Sequence, residues 1–118
     1  MRGWILVAAL VLGLATIPVT RADEASVTQI IYEEAARYGV SGDWLYRVAS
    51  CETGGTFDHS RVGRDGEIGI YQFLPGPYGV WSEIPIFRTW WDVYDLRLNI
   101  RGAAWAFAHG LSGRWSCK

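Results

Sequence analysis

The sequence predicts a small, mainly α-helical domain with a loop-rich middle and one disulfide, and a minor β component (an α+β class) stays open. Three observations predict this class. Apolar residues recur at helical spacing in two segments early in the domain and in one near its end. Glycines and prolines crowd the segment between them. The chain also has two cysteines, Cys51 and Cys117, a number that suits an oxidising compartment.

The chain begins with the features of an export signal. Arg2 gives a positive n-region, residues 5–17 are almost wholly apolar, and Ala22 offers a small residue before a cleavage point. We therefore predict a signal peptide over 1–22, one domain over 23–118, and secretion to the periplasm or the extracellular space. The apolar stretch is shorter than the roughly 20 residues that span a bilayer, so no stable membrane anchor is expected. An uncleaved anchor is the competing interpretation.

Loss of the leader would leave an acidic domain of about 96 residues, with the net charge moving from −1 to −3. A nucleic-acid-binding domain carries a basic stripe, so nucleic acid is not an expected partner. A bond between Cys51 and Cys117 would contribute roughly 4 kcal/mol in the chain-entropy model. That is a large share of a typical net stability of about 5–15 kcal/mol.

The first predicted helix starts in a capping box, with Ser26 as N-cap and Gln29 three residues later. Apolar residues continue at helical spacing to Tyr38, and Gly39 ends the helix.

Ser41 is the expected N-cap of a second helix. Its apolar stripe, through Trp44 and Val48, leads to Glu52 near the C-terminal end. A carboxylate there faces the negative end of the helix dipole in an apolar setting, and both influences raise its pKa. A general acid near neutral pH needs such a pKa. The competing interpretation is a surface glutamate that merely ends the helix.

Residues 54–69, in the middle of the chain, contain five glycines, which predicts a loop. Isoleucines and aromatics over 68–73 favour a short strand or a helical turn. Asp95 or Asn99 would cap a last helix that runs to Gly110.

Several of these residues form recognisable motifs. Glu-Thr-Gly at 52–54 is followed by Gly-x-x-Gly-x-x-Gln-x-x-Pro at 66–75 and by Asn-Ile at 99–100. In this order and spacing they resemble the secreted soluble lytic transglycosylase domains of the lysozyme-like superfamily. Cys-Glu-x-Gly-Gly at 51–55 and Trp-x-Cys at 115–117 are similar to resuscitation-promoting-factor domains. The resemblance covers nearly the whole predicted domain.

The resemblance implies an exported enzyme, associated with the cell wall, that cleaves the β-1,4 bond between N-acetylmuramic acid and N-acetylglucosamine in peptidoglycan glycan strands. Glu52 would be the single catalytic carboxylate, with no cofactor and no metal. It would protonate the glycosidic oxygen and then accept the proton of the sugar's 6-hydroxyl, leaving a 1,6-anhydro end. The residues expected to bind substrate are Thr53, Tyr71, Gln72, Phe73, Asn99 and Trp105.

Two alternatives on the same fold stay open, a lysozyme-type hydrolase and a non-catalytic domain that binds wall glycan or signals. Most glycosidases use two carboxylates. Asp58, Asp65 and Glu67 are candidates for a second one, although acids in a polar loop are normally solvated.

Two further interpretations concern metal and sugar contacts. Cys51, His59, His109 and Cys117 could together form a Cys₂His₂ zinc site. Export and the lack of a Cys-x-x-Cys motif favour a disulfide between the two cysteines instead. Most of the tryptophans should be core. Trp81, Trp90 and Trp91, in the loop region, are the expected sugar platforms.

Overall fold

The computed structural model describes residues 24–117, and the predicted leader, residues 1–22, lies outside this range. The described residues form helices α1 (Glu24–Tyr38), α2 (Gly42–Glu52) and α3 (Leu96–Ala108). Three short 3₁₀ turns join them to the loops, at Val80–Glu83, Trp90–Tyr94 and Ser112–Arg114. Residues 24–117 contain no β-strand, only isolated bridges, so the mainly α class with a loop-rich middle is confirmed. No helix in this range is long and apolar enough to cross a membrane.

Helix α1 begins before the predicted cap. Ser26 lies inside the helix, so the predicted capping box is wrong. Gln29 instead donates from Nε2 to the Glu33 carboxylate one turn later, at 2.9 Å. The predicted end is confirmed, because the helix stops at Tyr38 and Gly39 takes a left-handed φ of 68°.

Helices α2 and α3 begin at predicted caps. The Ser41 hydroxyl accepts the Trp44 backbone N–H at 3.2 Å, and the Asp95 carboxylate accepts the Leu98 N–H at 2.8 Å. Glu52 is the last residue of α2, as predicted. The caps satisfy backbone donors that a helix start leaves without partners.

A buried carboxylate joins α1 to α3. Glu34 is fully buried and accepts hydrogen bonds from three arginines. Arg101 donates from Nε and Nη2, both at 3.0 Å, Arg97 from Nη1 at 3.0 Å and Arg37 from Nε at 2.9 Å. Burial alone would raise the pKa of Glu34, but these guanidiniums hold it below its ordinary value. Glu34 is therefore an ionised side chain whose ion pairs link α1 to α3.

Two buried polar side chains fix the middle loop to the helices. The Tyr71 hydroxyl donates to the Leu45 carbonyl at 2.7 Å, and its backbone N–H donates to Asn99 Oδ1 at 3.0 Å. Asn99 Nδ2 donates to the carbonyls of Ile68 at 3.1 Å and Val93 at 2.8 Å. These bonds hold the loop against α2 and α3.

The segment 68–73 forms a tight turn and not a strand. Ile68 and Phe73 exchange backbone hydrogen bonds of 2.8 and 3.0 Å in an isolated antiparallel bridge. Between them Gly69 and Gln72 have positive φ values of 80° and 52°. A side chain at position 69 would collide with the Asn99 amide. The glycine therefore permits both the turn and the close approach of Asn99.

The predicted Cys51–Cys117 disulfide is present, with a Cα–Cα distance of 5.9 Å. It fastens the C-terminal tail to the last turn of α2, one residue before Glu52. Because the two sulfurs are bonded to each other, neither is a thiolate ligand, which agrees with the preference for a disulfide over a Cys₂His₂ zinc site.

Candidate active site

A cleft of about 260 Å³ opens between the end of α2, the middle loop and the C-terminal tail. Side chains able to hydrogen bond line much of it: Glu52, Glu67, Gln72, Tyr78, Arg114 and Ser116. Apolar side chains form the rest of the wall: Phe73, Leu74, Val80 and Trp115. A concave site with several polar groups on an apolar wall is the usual form of a small-ligand site.

Thr53 sets the sharp turn that leaves Glu52 at the cleft. Its hydroxyl is fully buried, donates to the Ala49 carbonyl at 2.9 Å and accepts the Phe57 N–H at 3.0 Å. The backbone N–H of Thr53 also donates to Ala49, at 3.1 Å. Since these bonds occupy the hydroxyl inside the domain, Thr53 supports the turn and does not line the cleft.

The surroundings of Glu52 favour its protonated form. Burial raises the pKa of the half-buried carboxyl, and the negative charge of Glu67 raises it further. The positive charge of Arg61 and hydrogen bonding from the Cys117 backbone oppose this rise without cancelling it. The pKa of Glu52 is therefore shifted in the direction that a general acid requires.

Glu67 is the loop acid that lines the same cleft as Glu52. Its Oε1 accepts the Asp65 backbone N–H at 2.7 Å, which fixes the side chain. Asp65 itself is exposed, and Asp58 bonds the Ser60 hydroxyl at 2.6 Å. Of the three candidates for a second carboxylate, the structure places only Glu67 on the cleft wall.

Gln72 lines the cleft but also joins two parts of its loop. Its Nε2 donates to the Gly69 carbonyl at 2.8 Å and to the Arg61 carbonyl at 3.3 Å. The amide nitrogen is thus engaged, and Oε1 is the atom left to accept a bond from a ligand.

The remaining expected binding residues divide into cleft and core. Phe73 contributes to the cleft wall, but its side chain is buried, and its ring packs edge-to-face against that of Trp115 with centroids 5.4 Å apart. Tyr71 and Asn99 are buried behind it, and their polar atoms bond backbone groups. Trp105 lies on α3, stacked on a histidine ring, and is not on the cleft wall. Thr53, Tyr71, Asn99 and Trp105 are thus placed by packing and internal hydrogen bonds, away from the expected substrate contact.

The expected sugar platforms also lie off this cleft. The Trp81 indole N–H bonds the Gly76 carbonyl, so this ring is fixed within the loop. Trp90 and Trp91 stack on each other with ring centroids 3.9 Å apart, and Trp91 is 63 % exposed. A platform role for this stacked pair stays a prediction.

The C-terminal tail supplies cleft residues that the sequence reasoning missed. Trp115 is buried and donates from its indole nitrogen to the Tyr71 carbonyl at 2.8 Å, which docks the tail. Arg114 and Ser116, on either side of it, line the cleft. The signal was the disulfide itself, since a bond to Cys51 requires the residues before Cys117 to lie close to the end of α2.

Comparison of the chain with protein-family models, with curated proteins and with solved structures finds no match.

Proposed function

We propose that the protein is an exported peptidoglycan lytic transglycosylase of the lysozyme-like superfamily, with Glu52 as its catalytic acid and base. The observation that carries this proposal is the position of Glu52. It ends an apolar helix beside a cleft, and burial raises the pKa of its carboxyl. The choice of peptidoglycan as substrate rests on the motif resemblance. The disulfide is consistent with an oxidising compartment.

In the proposed reaction the protonated Glu52 gives its proton to the glycosidic oxygen, and the bond between that oxygen and the anomeric carbon of N-acetylmuramic acid breaks. The N-acetyl group of the substrate stabilises the cationic carbon. The ionised Glu52 then accepts the proton of the 6-hydroxyl, whose oxygen bonds to the same carbon. Glu52 is protonated again, and no water is consumed. The same carboxyl thus acts as the acid in the first step and as the base in the second.

The cleft wall supports this assignment. The exposed side chains of Leu74 and Tyr78 would offer apolar surface for a sugar face, while Oε1 of Gln72 would accept the N–H of an N-acetyl group. Gln72 belongs to the turn held against α2 and α3, so its contact would be fixed relative to Glu52.

A lysozyme-type hydrolase is the second candidate, favoured by one observation. Glu67 lines the cleft together with Glu52, and most glycosidases use two carboxylates that flank the bond they cleave. In this version Glu67 would activate a water, and the product would carry a reducing end.

Digestion of purified peptidoglycan separates the candidates. The products of a transglycosylase end in 1,6-anhydro sugar and are one water lighter than those of a hydrolase, so their mass decides. Binding to the wall with no released fragment would overturn both enzymatic proposals and favour a glycan-binding domain. Folded Glu52→Gln protein is the control for contaminating activity.

A further inference from the structure

Arg114 is a cationic side chain on the cleft wall, and it takes no part in the proposed proton transfers of the transglycosylase reaction. It lies in the last 3₁₀ turn, next to the buried Trp115 that docks the tail. Its Nη2 donates to Glu83 Oε1 at 2.6 Å. Glu83 belongs to the turn that also carries Val80, another cleft residue. The Arg114 side chain therefore reaches from the tail to a second wall of the cleft.

The guanidinium retains capacity for a ligand. It carries five N–H donors, and the described bond to Glu83 uses one nitrogen. The Arg114 and Glu83 side chains are 51 % and 40 % exposed. An ion pair this exposed is weak, so an incoming anion can share or replace Glu83. Arginine binds carboxylates in a two-pronged geometry that lysine cannot reproduce.

The cleft wall carries both signs of charge. Glu67 lines it together with Glu52, and Arg114 lines it from the C-terminal tail. Among the cleft-lining residues, the Glu67 carboxylate near Glu52 repels an anion, whereas the Arg114 guanidinium attracts one. An anionic group on a bound glycan would therefore be directed towards Arg114.

We propose that Arg114 is a specificity residue that binds a carboxylate on the lactyl arm of the muramyl sugar. This inference rests on the proposed function, because the muramyl unit is the sugar of the glycan strand that carries an acidic arm. The carboxylate has two possible sources, the stem peptide attached to the arm or the lactyl group itself when the peptide has been removed. Recognition of this group would help to set which sugar lies at the bond that Glu52 breaks.

The test compares three forms of the same glycan strands: peptide-bearing, peptide-free with the lactyl carboxylate exposed, and peptide-bearing with every carboxylate converted to an amide. Initial rates at low substrate concentration give kcat/KM for each. We expect Arg114→Ala to lower kcat/KM about tenfold on a carboxylate-bearing strand and to leave the amidated strand unaffected. The carboxylate-bearing form that loses rate identifies the source.

Two further variants separate recognition from structural support. Glu83→Gln breaks the same ion pair but leaves the guanidinium in place, so the preference for carboxylate-bearing strands should persist or increase. Arg88→Ala removes an exposed arginine that does not line the cleft and is the matched control. Equal losses in Arg114→Ala and Glu83→Gln on all three strands would overturn the inference, and so would an unchanged preference in Arg114→Ala. If the wild-type protein cleaves none of the strands, the proposed function itself fails.

Discussion

Glu34 and Glu52 lie on neighbouring helices and have opposite pKa shifts. Burial pushes the pKa of both carboxyls upward. Hydrogen bonds and charge from Arg97 and Arg101 reverse the shift at Glu34, whereas a second carboxylate, Glu67, adds to it at Glu52. Neighbouring charges and hydrogen bonds, and not burial alone, therefore decide whether a carboxyl supports structure or holds a transferable proton.

The largest expected effect is the loss of activity in Glu52→Gln. The substitution is nearly isosteric and removes the transferable proton, so turnover should fall by roughly 10²–10⁴-fold. Because the raised pKa means that ionised Glu52 weakens the fold, the thermal midpoint at neutral pH should stay unchanged or rise slightly. Peptidoglycan solubilisation and a melting curve on the same sample check both. Near-wild-type activity in the folded variant would contradict the assignment.

The opposite pattern is expected for Glu34→Gln. An amide cannot satisfy three guanidiniums, so unfolding free energy at neutral pH should fall by about 2–4 kcal/mol, while activity per folded molecule stays unchanged. Since the folded-state pKa of Glu34 is lowered, its contribution is complete above the unfolded-state pKa and is lost as pH falls through the folded value. The difference between wild type and variant should therefore shrink in acid.

Denaturant unfolding at several pH values measures this prediction. Glu33→Gln is the control, because Glu33 is exposed on the same helix and also bonds Arg97. If the difference in unfolding free energy between wild type and Glu34→Gln did not change with pH, Glu34 would not be ionised in the folded protein.

Gln72 lines the cleft and also supports the loop structure, so its substitution should affect both activity and stability. Gln72→Ala removes the amide of a cleft-lining residue and its two bonds to loop carbonyls. We expect kcat/KM to fall roughly threefold to a hundredfold, with only a modest drop in melting temperature. A drop of many degrees with unchanged activity per folded molecule would make Gln72 purely structural.

The smallest expected effect is a displaced pH profile in Glu67→Gln. Removal of the negative charge should lower the pKa of Glu52, so the alkaline limb of the rate profile moves to lower pH. The maximal rate should change little in a transglycosylase. Asp65→Asn, which alters an exposed acid off the cleft wall, should leave the profile in place. Loss of nearly all activity in Glu67→Gln would instead identify a second catalytic carboxylate.

Local signals in the sequence predicted much of the fold. Gly39 and the caps Ser41 and Asp95 act within a few residues, and each forms the expected helix boundary. Ser26 misled because a matching capping pattern also fits inside a helix that begins earlier. Cap residues therefore predict boundaries only where no alternative start lies upstream.

The site was predictable only in part, because it depends on contacts between distant segments. Glu52 follows from its place at the end of an apolar helix. The buried role of Asn99 requires the loop carbonyls of Ile68 and Val93 to be placed against α3. The arginine cluster around Glu34 likewise joins residues more than 60 positions apart, which no periodic pattern reports.

The most direct test of the opposite pKa shifts is an NMR titration of the side-chain carboxyls of Glu52 and Glu34 in the disulfide-bonded protein. Glu52 should titrate above the range of exposed glutamates and Glu34 below it. Glu67→Gln should bring the Glu52 titration closer to the ordinary value. If Glu52 titrates with the exposed glutamates or below them, it does not hold its proton as a general acid must, and the central claim is contradicted.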